Sequence, residues 1–302
     1  SPVQMEELPS MEEVYDRLKG ENILIVEDME LNQKILLMQL EQLKLTADVV
    51  HNGKQALKAF KSKDYQLIFM DCQMPGMDGY EASQQIRLIE AAADYSKKPV
   101  FITAMTANAE EDDVAKCFQA GINYYLSKPL RLEDVEKFFR YYATRQSATP
   151  TQWARPVRAP DAEETPVALE TEIEADEKTK EPKTSIKFSD EEFDTTTLET
   201  LRSLRRPGRP DPVAEAIKLF NQDATKSERA LRKAIVAQDL ANIRLYAHSI
   251  KGICTNLGAR KAGNLYMHIE KSARDQKKVD YSTLLTEATV ELERVKKFLE
   301  SL

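Results

Sequence analysis

From about residue 20 to residue 143, short apolar runs alternate with stretches whose apolar residues recur at helical spacing. Ile23-Leu24-Ile25-Val26 stops at Glu27-Asp28, and a helical pattern from Leu31 to about Leu43 follows, with Ile35, Leu36, Met38 and Leu40 at its apolar positions. Ala47 to Val50, Leu67 to Met70, Val100 to Ala104 and Tyr124 to Leu126 are four more strand-like runs. Gly53 to Lys61 and Leu132 to Tyr142 carry further helical patterns. Apolar strands separated by helices are what a parallel sheet covered on both faces requires. The pattern therefore predicts a doubly wound α/β domain with a five-stranded parallel sheet. Such sheets bind ligands at the carboxyl ends of their strands, and Glu27, Asp28 and Asp71 all fall there.

The second half reads differently. From about Thr195 onward the periodicity is helical throughout: Val213, Ile217, Phe220, Leu231 and Ile235, then Leu240 to Leu257, Ala262 to Ala273 and Leu284 to Leu299. Long helices joined by short turns predict an all-α antiparallel bundle. Between the halves, residues 161–182 hold nine acidic side chains against two basic ones and few large apolar ones. Such a segment cannot bury enough apolar surface to offset its ordering entropy, so 146–188 reads as a flexible acidic linker. The expected division is a short upstream linker helix in 1–19, the α/β domain in 20–145, the linker in 146–188 and the bundle in 189–302.

Composition narrows the class. A chain of 302 residues accommodates two domains, and its net charge of -7 gives no general pull toward nucleic acid or anionic membrane. The basic stretch Arg202 to Arg209 has no interleaved aromatic residues and reads as a solvated loop rather than a nucleic-acid contact. No apolar run approaches the ~20 residues that span a bilayer, and no secretory signal opens the chain. Cys72, Cys117 and Cys254 are odd in number and far apart in sequence, which predicts reduced thiols rather than disulfides or a zinc site. The expectation is a cytoplasmic protein, or the cytoplasmic part of a membrane-bound one. Ser1 in place of methionine suggests a piece of something longer.

Two motifs carry the chemistry. Glu27, Asp28 and Asp71 at neighbouring strand ends would repel one another without a cation between them. Mg²⁺, a hard ion that takes oxygen ligands and is commonly shared with a phosphate, fits that need. An aspartate can also act as a nucleophile toward phosphorus, forming an acyl phosphate. The second motif is His248-Ser249-Ile250-Lys251-Gly252, leading to Asn256-Leu257-Gly258. With His248 set at zero on its helix, Ile243, Tyr246, Ile250, Ile253 and Leu257 fall between roughly 140° and 220°. His248 should therefore point away from the apolar face into solvent, where a neutral imidazole nitrogen can attack phosphorus. Lys251, one turn on, is placed to meet phosphoryl oxygens. Gly252 suggests close approach by a partner surface, and Gly258 a helix end. His51 and His268 read as structural or solvated.

The first half resembles the receiver domain of response regulators, a flavodoxin-like fold. The likeness is carried by Glu27-Asp28, Met70-Asp71, the turn Met74-Pro75-Gly76-Met77-Asp78-Gly79, Ala104-Met105-Thr106-Ala107 and Lys128-Pro129. The resemblance implies that Asp71 is the phosphoacceptor and that Glu27, Asp28, Asp71 and the Gln73 carbonyl serve Mg²⁺. By the same likeness Thr106 contributes a hydroxyl and Lys128 a cation, the Lys128–Pro129 bond is cis, and Tyr125 occupies an aromatic switch position. Met29 departs from the pattern, where the family often has a small polar residue, and touches no assigned chemistry. The second half resembles the histidine-containing phosphotransfer (HPt) domain through His248, Lys251, Gly252, Asn256, Leu257 and Gly258, followed by Ile269-Glu270. That likeness makes His248 the phosphohistidine.

The two resemblances together imply a phosphorelay segment of a hybrid sensor histidine kinase. Its partners would be kinase domains upstream and a response-regulator receiver downstream, without nucleic acid or membrane contact. No glycine box for ATP is present. Two alternatives stay open: an adaptor switched by Asp71 phosphorylation, and a sink that drains phosphate from a partner regulator.

Overall fold

In a computed structural model, described residues are 9–92, 98–106, 111–145, 188–189, 191–206 and 208–302. The first half begins with α1 (Met11–Leu18), followed by β1 (Ile23–Val26), α2 (Glu30–Gln42), β2 (Ala47–Val50), α3 (Gly53–Ser62) and β3 (Leu67–Asp71). It continues with α4 (Gly79–Ala91), β4 (Phe101–Thr106), α5 (Glu111–Gln119), β5 (Tyr124–Ser127) and α6 (Leu132–Arg145). All strand pairs are parallel, in the order β2-β1-β3-β4-β5. Every residue of β1, β3 and β4 is buried, as continuous apolar strands between two helical layers demand. One face packs Phe69 and Phe101 against Phe138, Phe139 and Tyr142 of α6. The other packs Ile68, Met70 and Ile102 against Ala56, Phe60, Ala82 and Ile86.

The helix expected near the start forms, but it is no free linker segment. Ser10 caps it in a reciprocal box with Glu13, and Val14 and Leu18 are buried in the α6 side of the sheet core. Of the linker expected over 146–188, all but the last residue lies outside the described residues. That last residue, Phe188, already belongs to the bundle, its ring packed on Phe193 and Phe298.

The second half comprises α7 (Thr196–Ser203), α8 (Pro212–Val236), α9 (Leu240–Leu257), α10 (Arg260–Arg274) and α11 (Tyr281–Glu300). Asp211, Asp239 and Asp280 cap α8, α9 and α11, and Pro212 sits where a helix loses nothing by lacking an N–H. Gly258 ends α9 at φ 95°, and a side chain there would collide with the Asp194 carbonyl.

The two halves are docked. Met29, Leu31 and Ile35 of the α/β domain are buried in the same apolar cluster as Phe220, Ala224, Ile250 and Leu257 of the bundle. The Leu31 N–H donates to Asp223 Oδ2 at 2.9 Å, and Asn256 Nδ2 donates to Asn32 Oδ1 at 2.7 Å. At the rim, Lys34 pairs with Glu215, while Arg206 and Arg209 both reach Glu41. The basic stretch thus starts in the last turn of α7 with Arg202 and leaves the helix after Ser203, and two of its arginines, Arg206 and Arg209, bridge to the other domain instead of facing only water.

Candidate functional site

The β1 and β3 ends lie side by side, Val26 in register with Met70, so Glu27, Asp28 and Asp71 converge where the order of connections reverses. One carboxylate oxygen from each lies within 4.8 Å of the others. Lys128, carried in after β5, is clamped between two of them: its Nζ is 2.6 Å from Glu27 Oε2 and 2.9 Å from Asp71 Oδ2. The Gln73 N–H donates to Asp71 Oδ1 at 3.2 Å. The Lys128–Pro129 peptide is cis, and Thr106 is buried at the end of β4, its carbonyl accepting from the Lys128 N–H. Gly79 lies against the Asp71 carbonyl, with no room for a side chain. Tyr125 is half-buried against Phe118.

Burial, then the neighbouring Glu27 charge, pushes the Asp71 carboxyl up to about 7. Asp28 rises for the same reasons, burial first, then Glu27 and Asp71. For Lys128, burial alone would lower the pKa, but the Asp71 and Glu27 charges hold it well above its ordinary value. Three carboxylates facing one ammonium leave an excess of negative charge and of hard oxygen donors. That donor set fits a divalent cation such as Mg²⁺.

The histidine site differs from expectation in one respect. His248 faces away from its own bundle's apolar core, as the helical wheel requires, yet it is only 5% exposed. The correction has a physical cause: the wheel describes one helix, whereas here Glu270 of α10 packs beside the ring and the docked domain covers this face of α9. Lys128 lies near enough for its charge to lower the His248 pKa. Gly252 is not pressed by that domain; the space a methyl group would fill is open. His248 Nδ1 lies 2.8 Å from Glu270 Oε1, and Lys251 Nζ lies 2.6 Å from Glu270 Oε2. An ionised carboxylate only accepts, so Nδ1 carries the proton and Nε2 keeps its lone pair. Burial lowers the His248 pKa, with Glu270 opposing, so the ring is neutral at pH 7. Burial would raise the Glu270 carboxyl, but His248 and Lys251 bring it down to about 2.

Glu270 appeared in the sequence only as part of a matching pair, with no role. Its signal was a carboxylate beside Ile269, one turn from Tyr266, on the face of α10 that turns inward. Asn32 and Asp223 carried no signal, because their partners lie 224 and 192 residues away in the chain. Met29, which seemed to touch no chemistry, is buried in the domain contact. His51 is exposed, its Nδ1 2.9 Å from Gln33 Nε2, and His268 is exposed. The cysteines are free, as expected, although Cys72 and Cys117 lie with their sulfurs 4.0 Å apart. Among the described residues, no helix is long and apolar enough to cross a membrane.

Comparison with known proteins agrees with this geometry. Residues 23–140 match the response regulator receiver domain and residues 215–298 the Hpt domain. Hybrid signal transduction histidine kinase B of Dictyostelium discoideum is 42% identical over 123 residues, 39% of this chain and 6% of that protein. Hybrid signal transduction protein dokA of the same organism is 40% identical over 130 residues, 43% of this chain and 7% of its own length. The chain thus spans only a small part of these relatives. Among solved structures, a chain from the Saccharomyces cerevisiae complex of the phosphotransfer protein Ypd1 with the Ssk1 receiver domain is 36% identical. It covers 42% of this chain and 91% of that one, with a TM-score of 0.39. The receiver domain of a Pseudomonas aeruginosa sensor histidine kinase, solved with magnesium in its cleft, is 35% identical. It covers 41% and 98% of the two chains, with a TM-score of 0.37. Residues 23–140 thus match a receiver domain and residues 215–298 an Hpt domain, and this pair, with hybrid histidine kinases among the relatives, supports phosphorelay in two-component signalling.

Proposed function

We propose that Asp71 accepts a phosphoryl group from a kinase phosphohistidine outside this sequence and that His248 takes it on, for delivery to a receiver aspartate elsewhere. The observation that carries this is the His248–Glu270–Lys251 arrangement: a neutral imidazole with Nδ1 held by a carboxylate and Nε2 left as a nucleophile. The Nε2 lone pair attacks phosphorus, the bond from phosphorus to the Asp71 carboxylate oxygen breaks, and the carboxylate departs with its electrons. The imidazole, still protonated at Nδ1, becomes cationic, and the ionised Glu270 stabilises that charge.

Around Asp71, Lys128 and the Thr106 hydroxyl would hold phosphoryl oxygens. Glu27, Asp28, Asp71 and the Gln73 carbonyl would hold Mg²⁺, which when bound supplies charge neutralisation at the transferring group. An adaptor with an idle histidine has no need of a buried nucleophile with its proton fixed on the far nitrogen, so the relay is the better reading. The test is labelling with acetyl phosphate in the presence of Mg²⁺. Wild type should gain both acid-stable acyl phosphate and acid-labile, base-stable phosphohistidine. Asp71→Asn should lose both labels, and His248→Gln should keep the acyl phosphate alone. Phosphohistidine that persists in His248→Gln would rule out the assignment.

A further inference from the structure

We infer that Met29, Asp223 and Asn256 are positioning residues that match this receiver to the Hpt domain of the same chain and set where His248 lies relative to Asp71. The inference rests on the relay reading and adds what aligns its two sites.

The argument starts at the first turn of α2. A helix start leaves its first N–H groups without intrahelical partners, and a Ser, Thr, Asp or Asn at the cap usually answers one of them. This helix has Met29 at its cap, with no side-chain bond. The missing acceptor comes from the other domain: Leu31 N–H donates to Asp223 of α8, and both residues are buried. Met29 itself is 5% exposed and shares the bundle's apolar cluster. Where a capping side chain would stand, this helix has one that packs on the Hpt domain, and that domain supplies the cap.

A second contact fixes register. Glu27 Oε1 accepts from Asn32 Nδ2 at 2.9 Å, and Asn32 Oδ1 accepts from Asn256 Nδ2 at 2.7 Å. All three side chains are buried. Asn256 stands eight residues beyond His248 on α9, about 12 Å along the helix axis. Holding Asn256 against Asn32 therefore sets how far α9 slides over the carboxylate cluster, and with it where His248 lies relative to Asp71. A separate receiver with its own polar cap would leave Asp223 buried without its donor, a penalty against the wrong partner as well as a gain for the right one.

The test uses the full chain, labelled acetyl phosphate as the probe and phosphohistidine as the readout. In wild type the rate of phosphohistidine formation from labelled Asp71 should be unchanged on serial dilution. An equimolar mixture of the Asp71→Asn and His248→Gln chains should form it more slowly, in proportion to concentration. Asp223→Ala and Asn256→Ala should each slow the transfer by about tenfold while Asp71 gains label at the wild-type rate. Asp223→Asn keeps an acceptor oxygen and should restore transfer, which a general loss of packing would not allow. The inference is overturned if dilution slows wild type in proportion, if the mixture matches wild type, or if both alanine variants transfer normally. If Asp71 is labelled but no phosphohistidine forms at any concentration, the relay reading itself fails and this inference with it.

Discussion

On the relay reading, His248 depends on two neighbours that set its proton and its charge. Glu270 keeps the proton on Nδ1, and Lys251 keeps Glu270 ionised, so one carboxylate both orients the ring and prepares it to become cationic. Glu270→Gln retains an acceptor but not the charge. Charge-assisted hydrogen bonds contribute about 1.5–3 kcal/mol, so transfer to His248 should fall by roughly ten- to a hundredfold. Because Glu270 raises the His248 pKa against the effect of burial, the same variant should titrate at a lower pH in an NMR series. A His248 pKa that rises or stays put would contradict the role given to Glu270. The place of His248 on its helix was readable from the motif, but its burial was not. A helical wheel reports which way a side chain leaves its own helix and is silent about what a distant stretch of chain places in front of it.

Among the elements, those dictated by local pattern were legible. The five strands, the helices of the bundle and the end of α9 at Gly258 follow from runs and periods of a few residues. Gly258 is the sharpest case, combining a left-handed backbone with contact against the Asp194 carbonyl. Gly258→Ala must accept a conformation that costs ~1–2 kcal/mol before the collision is counted, so the midpoint of chemical denaturation should move down by at least that equivalent. Helix α1 was legible as a helix but not as part of the core, because Val14 and Leu18 meet α6 more than a hundred residues later. Helix α2 marks the boundary of what local pattern can say. Its apolar positions were clear, yet the identity of its cap depended on Asp223, for which nothing nearby in sequence speaks.

At the scale of the whole molecule, the contact between domains combines a small apolar patch, two buried hydrogen bonds and a rim of exposed ion pairs. Exposed pairs contribute little to stability, so Glu41 with Arg206 and Arg209 should matter for the speed of encounter more than for its strength. Asp223 gives the contact a pH dependence. Burial raises its carboxyl to about 6, with the Leu31 N–H and Lys226 opposing and Glu30 and Glu27 adding to the rise. A carboxyl whose pKa is higher in the docked state favours docking below its ordinary range, and that increment is lost as pH rises through about 6. Small-angle scattering should therefore show a more compact particle near pH 5 than near pH 7, and Asp223→Asn should flatten the difference. Equal compactness of wild type at both values would count against it. The covered face of α9 also sets a time limit. On the relay reading, an outside receiver would collect from His248 only while the resident one stands aside, so the frequency of undocking would be a ceiling on throughput. However fast the chemistry at either site, signals would then pass onward at the tempo of one domain leaving another.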